Sequence, residues 1–275
     1  IIMAKGTREI RRKIKSVKNT RQITKAMELV AASKMRKAVS NTLALRPYAR
    51  LAQALLLNLS EKLTPTEKSS LVSRQSSVFP HPLLEKREVK KVLAIAVSSD
   101  RGLCGGLNTQ LFREISRYLA AERKKSSPPD ISFIAMGRKV QDFLRRSGEK
   151  VIAAYSAPSA HPTLKDTFPI SRMILQEYSA AAYDKVVLIY TDFISAINQK
   201  PTVRRLLPLS RAALEEMVEG LESSSRRAAD SSAEQAAFME YKFEPSPKKV
   251  LEMLLPRLTE MQIYQSVLEA TASEH

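Results

Sequence analysis

The stretch SSDRGLCGGLN, from Ser98 to Asn108, brings together hydroxyls, a carboxylate, a guanidinium, a thiol and three glycines. It follows the apolar run KKVLAIAVSSD and opens a helical pattern, which is where phosphate-binding loops sit. Its glycines, Gly102, Gly105 and Gly106, match neither G-x-G-x-x-G nor G-x-x-x-x-G-K-[ST]. Two readings stand: a degenerate nucleotide loop, or a tight structural turn that needs backbone freedom and close packing. The turn is preferred. Cys104 has no C-x-x-C partner and no nearby histidine, so it reads as a small packed residue rather than a nucleophile. His81, His161 and His275 are dispersed, without metal-ligand spacing, and Asp100, Asp192 and the Glu215-Glu216 pair single out no acid–base couple. No catalytic residue, cofactor or metal is expected.

The elements that position this loop alternate. KKVLAIAVSSD reads as a strand, LNTQLFREISRYLAAERKK as a helix, DISFIAMG as a strand and RKVQDFLRRSG as a helix. KVIAAY, a helix near 164–182 and the strand DKVVLIYTDF follow. Such alternation predicts an α/β domain, a parallel sheet covered by helices, over about 89–209. Residues 64–88 and 210–237 are rich in Ser, with Pro in the first, and read as a loop and a low-complexity insertion.

Both ends are helical and unlike the middle. Residues 1–63 form one predicted helix, beginning in earnest at Thr7 and bent at Pro47, and 238–275 form a second. In the first, Ile10, Ile14, Val17, Thr20, Thr24, Met27, Ala31 and Met35 recur at steps of three and four, a narrow seam of the coiled-coil kind. In the second, Ser246-Pro247 offers an N-cap and a first helical residue, and Leu254, Leu258, Met261, Gln265, Leu268, Ala272 and His275 make a heptad-like seam. The economical packing pairs the two ends antiparallel, with the α/β domain at the base of the rod.

Charge sets the class of partner. The chain of 275 residues carries a net charge of +17, and Arg8, Arg11, Arg12, Lys13, Lys15, Lys18, Arg21 and Lys25 crowd the first helix against Glu9 and Glu28. So many cations repel one another in isolation, which points to an anionic environment: nucleic acid, an acidic protein surface or a lipid surface. Charge alone does not choose among them, though the segment lacks the interleaved aromatics of a single-strand binder. The alternative function is thus a basic coiled-coil nucleic-acid-binding protein with an accessory α/β domain. The single cysteine excludes an intrachain disulfide and suits a reducing compartment. The start IIMAKG offers no apolar stretch long enough for a signal peptide, and no apolar run approaches the length of a membrane span.

IRRKIKSVKNTRQITKAMELVAASKMRKA, SSDRGLCGGLN, LLPL and EPSPKKVLEMLLPRLTEMQIYQSVLEATASEH together resemble the gamma-subunit family of the rotary F-type ATP synthases. The resemblance implies a non-catalytic central stalk. Its terminal helices would form an antiparallel coiled coil within a hexamer of alpha and beta subunits, and its Rossmann-like middle domain would bind no nucleotide. It would be present in one copy, peripheral to the membrane, and would couple proton flow through a c-ring to ATP synthesis or hydrolysis. Nucleic acid would not be a partner. Met27, Lys34, Arg36 and Arg257 are implied as contacts with the catalytic head, and Tyr241, Phe243 and Glu244 as foot contacts with the epsilon subunit and the c-ring. Against the family pattern, a further helical tail beyond His275 reads as missing. The insertion 210–237 has no cysteine where chloroplast members carry a regulatory dithiol, so thiol regulation there is expected to be absent. The cytoplasmic face of a bacterial inner membrane is the expected location.

Overall fold

The computed structural model describes residues 2–62, 81–157, 162–209 and 244–275. The insertion 210–237, most of the loop 64–88 and the singled-out residues His161, Glu215, Glu216, Tyr241 and Phe243 lie outside them.

Helix α1 (Ile2–Lys62) starts before Gly6 and continues through Pro47. Its 61 residues make it about 90 Å long. Five strands then form one sheet: β1 (Lys91–Val97), β2 (Asp130–Met136), β3 (Lys150–Tyr155), β4 (Lys185–Phe193) and β5 (Gln199–Leu207), ordered β3-β2-β1-β4-β5. The first four are parallel. Helices α2 (Leu107–Arg123), α3 (Arg138–Arg146) and α4 (Leu164–Ser179) provide the crossovers that parallel neighbours require. The fifth strand pairs antiparallel with β4 and was not read from the sequence. Its segment QKPTVRRLL mixes lysine, proline and two arginines with few apolar residues, as befits an edge strand.

Successive residues of β1 point to opposite faces, which divides the core in two. Val92, Ala94 and Ala96 pack with Leu111, Ile115, Leu119, Val140 and Leu144 of α2 and α3. The small alanines let these helices approach, and the Phe112 and Phe143 rings stack between them at 4.4 Å. Leu93, Ile95 and Val97 pack instead with Ile170, Ile174 and Tyr178 of α4 and with Leu251, Leu255, Ile263 and Val267 of the last helix, α5 (Pro247–Glu274). The α5 terminus is capped as its sequence suggests, Ser246 Oγ accepting the Lys249 amide at 3.3 Å ahead of Pro247, and the helix runs on through Pro256.

The C-terminal helix therefore has two faces to satisfy. Besides the core residues above, Leu258, Gln265, Leu268 and Ala272 of its predicted seam are buried, as are Thr259, Gln262, Ser266, Glu269 and Thr271. It packs on α1, α4 and β4 together. A single seam read along one face underestimates a helix enclosed between a sheet and another helix.

Candidate functional site: the helical shaft and its joint with the sheet

A doubly wound sheet binds its ligands at the carboxyl ends of the strands, where the strand order reverses. Here that crevice lies between β1 and β4. It is lined by Val97, Ser98, Ser99, Leu107 and Thr191, and closed by Ala270, Thr271 and Glu274 of α5. What remains is about 10 Å³, the space of one water molecule rather than a nucleotide. Ser273 Oγ donates to the Thr191 carbonyl at 3.2 Å and ties the helix end to the strand. The crevice thus holds the protein's own shaft.

The loop beside it is bound to itself. The Asn108 amide donates to Ser99 Oγ at 2.8 Å and to Cys104 Sγ at 3.2 Å, and Ser99 Oγ donates to the Arg101 carbonyl at 2.7 Å. Asp100 Oδ1 accepts the amide of Arg138, the first residue of α3, at 2.8 Å and that of Ala157 at 3.0 Å. A carboxylate of the chain therefore occupies the helix N-terminus where a bound anion would otherwise be stabilised. Of the loop glycines, Gly105 adopts φ +57°, which favours glycine, whereas Gly102 and Gly105 face open space and Gly106 meets the Gln110 side chain at an ordinary 3.4 Å. The close packing expected of them is found at Gly137 instead. There φ is +104°, and a Cβ would stand 2.2 Å from the Ser98 carbonyl oxygen.

The described residues of α1 divide at Ala31. From Thr7 to Val30 every residue is exposed, including Ile10, Ile14, Val17, Ile23, Met27, Leu29 and Val30. From Ala31 onward burial begins, and Ala38 is buried. The partner over this second part is α5. Burial pushes the Glu274 carboxyl up, Asp100 adds to the effect, and Lys34 and Arg101 oppose it, so Lys34 stands near the end of α5. Because residues 7–30 are uncovered, the rest of α5 runs beside the later part of α1. The two helices are antiparallel.

The structure separates the residues implied as head contacts. Met27 is half exposed, Lys34 partly covered and Arg36 exposed, all within a short stretch of α1. Arg257 sits in the first half of α5, where it donates to Glu260 Oε2 at 3.0 Å. Counting rise along both helices from the Lys34–Glu274 level puts it about 35 Å from Met27. Glu244 is exposed just ahead of the α5 cap. Lys25 pairs with Glu28 at 2.9 Å in full view of solvent, a contact of little weight.

Two residues of the joint had no sequence signal strong enough to find them. Gly137 follows β2 as an isolated glycine, and Glu269 reads as one more polar position on an amphipathic helix. Glu269 is in fact buried, and burial together with the neighbouring Asp192 carries its carboxyl up to about 7, against the pull of Arg204, Gln265 and Tyr190.

Fold and site together define a class: a two-helix shaft whose C-terminal helix seals the ligand crevice of a nucleotide-type α/β domain. A family profile described as ATP synthase matches residues 6–275. The ATP synthase gamma chain of Heliobacterium modesticaldum is 38% identical over 269 residues, covering 98% of this chain and 82% of that one. That of Roseiflexus sp. is 39% identical over 272 residues with the same coverage. Among solved structures, the Tetrahymena thermophila mitochondrial ATP synthase central stalk and c-ring shares the fold at TM-score 0.58 and 23% identity, covering 92% of this chain and 94% of that one. The Euglena gracilis mitochondrial ATP synthase rotor does so at 0.52 and 19%, covering 96% and 84%. The chain belongs to the ATP synthase gamma-chain family. Its part in ATP synthesis is that of the gamma subunit, a non-catalytic member of a membrane-associated complex. Among the described residues no helix is long and apolar enough to cross a membrane.

Proposed function

We propose that residues 7–30 of α1, with the turns just after them, are the part of the shaft that turns within a head of alpha and beta subunits, and that Met27, Lys34 and Arg36 are among its contacts. One observation carries this: a helix segment with an apolar stripe and eight cations, continuous with a pair of helices seated on a sheet. Long exposed cations attract acidic loops broadly, because an exposed ion pair costs little to break and re-form. That suits a surface that must slide from one beta subunit to the next. A single asymmetric copy presents a different face to each, and differential contact is what shifts each site's conformational equilibrium.

Arg257, far down the shaft, fits a separate lower contact with the head. Tyr241, Phe243 and Glu244 fit the foot, against an epsilon subunit and the c-ring of an ion-translocating membrane sector. A bacterial inner membrane, with this subunit on its cytoplasmic face, is the location in keeping with the bacterial gamma chains it is similar to.

Reconstitution tests the reading. Purified alpha and beta subunits are assembled with and without this chain, and complex size and ATP hydrolysis are followed. One copy per hexamer and faster hydrolysis are expected, with Met27→Lys reducing the stimulation without preventing assembly. Failure to enter the hexamer, or entry in several copies, would overturn it.

A further inference from the structure

The joint between α5 and β4 contains a titratable group that shaft geometry alone does not require. Glu269 lies on the sheet side of α5, buried. Gln265 Nε2, one turn earlier, donates to its Oε1 at 2.7 Å. Its other oxygen, Oε2, is buried facing the buried Tyr190 hydroxyl of β4, and the two have no polar partner but each other. A carboxyl buried with so few polar partners is uncommon, because it gives up its hydration for little in return. Around them stand Asp192, on the same face of β4 two residues along, and Arg204 of β5, whose guanidinium lies 5.7 Å from the Tyr190 ring centroid. From the far side of α5, Lys34 and Arg101 act on Glu274.

A neutral carboxyl can hold this position: it carries a donor and an acceptor and needs no counter-charge. An ionised one would sit desolvated beside Asp192, with Arg204 as the partly exposed cation opposing that repulsion. We propose that Glu269 is a protonation-sensitive joint: neutral, it lets the C-terminal helix dock on β4, and its ionisation loosens that docking. Glu269 is then a positioning residue, acting through the seating of α5. The inference rests on the packing of α5 and stands whatever the shaft drives.

The direction follows from linkage. A carboxyl whose proton is held more tightly in the docked than in the open state makes docking strongest at low pH. That advantage is lost as pH rises from the ordinary value of 4.5 through about 7. Hydrogen exchange on the full chain reads this directly, in peptides covering 262–274 and corrected for intrinsic exchange. Between about pH 5 and about pH 8 protection of these amides should fall about tenfold or more. Glu269→Gln, which keeps the shape and removes the titration, should abolish the pH dependence. Asp192→Asn, at a partly exposed position, should keep it but move its midpoint to lower pH, since the like charge is gone. A flat wild-type profile, an unchanged profile in Glu269→Gln, or an unmoved midpoint in Asp192→Asn would each overturn the proposal. Should Glu269→Gln not fold, the wild-type profile and the Asp192→Asn midpoint decide the matter between them.

Discussion

Gly137 shows how much one backbone position holds in place. Its carbon faces the Ser98 carbonyl so closely that no Cβ fits, and the contact brings the Val140 amide within 2.9 Å of Ser98 Oγ. Gly137→Ala is expected to destabilise the protein by roughly 3 kcal/mol or more, combining the left-handed φ with a backbone clash. Urea unfolding of the full chain measures it; a loss below about 1 kcal/mol would mean that the two strand ends relax apart freely. By the same logic Gly102, which meets nothing and has no special φ, tolerates alanine.

At the scale of elements, α5 is the piece on which the others converge. Leu255 is fully buried in the core shared by β1, α4 and β4, while Met253 on the same helix is largely exposed. Leu255→Ala should cost about 2–5 kcal/mol through lost burial and the cavity left behind. Met253→Ala should stay within about 0.5 kcal/mol. Equal effects, read by thermal unfolding, would show that α5 is not anchored through this face. On the opposite side of the sheet, Phe112 against Phe143 and the alanines of β1 hold α2 and α3 independently of the shaft. A weakened α5 therefore leaves that half of the core intact.

For the whole molecule, the uneven charge matters most. The exposed half of α1 concentrates cations away from the sheet, and their attraction to an acidic sleeve acts through solvent, so salt screens it. Replacing Arg11, Arg12 and Lys13 by glutamine should weaken association with an alpha–beta hexamer by about tenfold at low salt and should flatten the salt dependence of that affinity. Titration of labelled chain into hexamer at several ionic strengths checks this. A salt slope equal to the wild type's would assign the cations to some other task.

Local pattern alone determined the alternation of strands and helices from Lys91 to Phe193, the Ser246 cap, the long basic helix and the absence of a nucleotide-loop motif at Gly102, Gly105 and Gly106. Each depends on neighbours a few residues apart, where periodicity and turn chemistry act. The fifth strand escaped because QKPTVRRLL becomes a strand by pairing with β4, not by its own preference. Likewise, Glu269 looks like a polar position of an amphipathic helix until the sheet closes over it. Which face of a helix is buried, and which glycine admits no side chain, depends on segments tens of residues or more away in the chain. Tertiary structure alone could decide that the C-terminal helix fills the crevice where such sheets hold their ligands, which turns a nucleotide-type domain into a seat for a shaft.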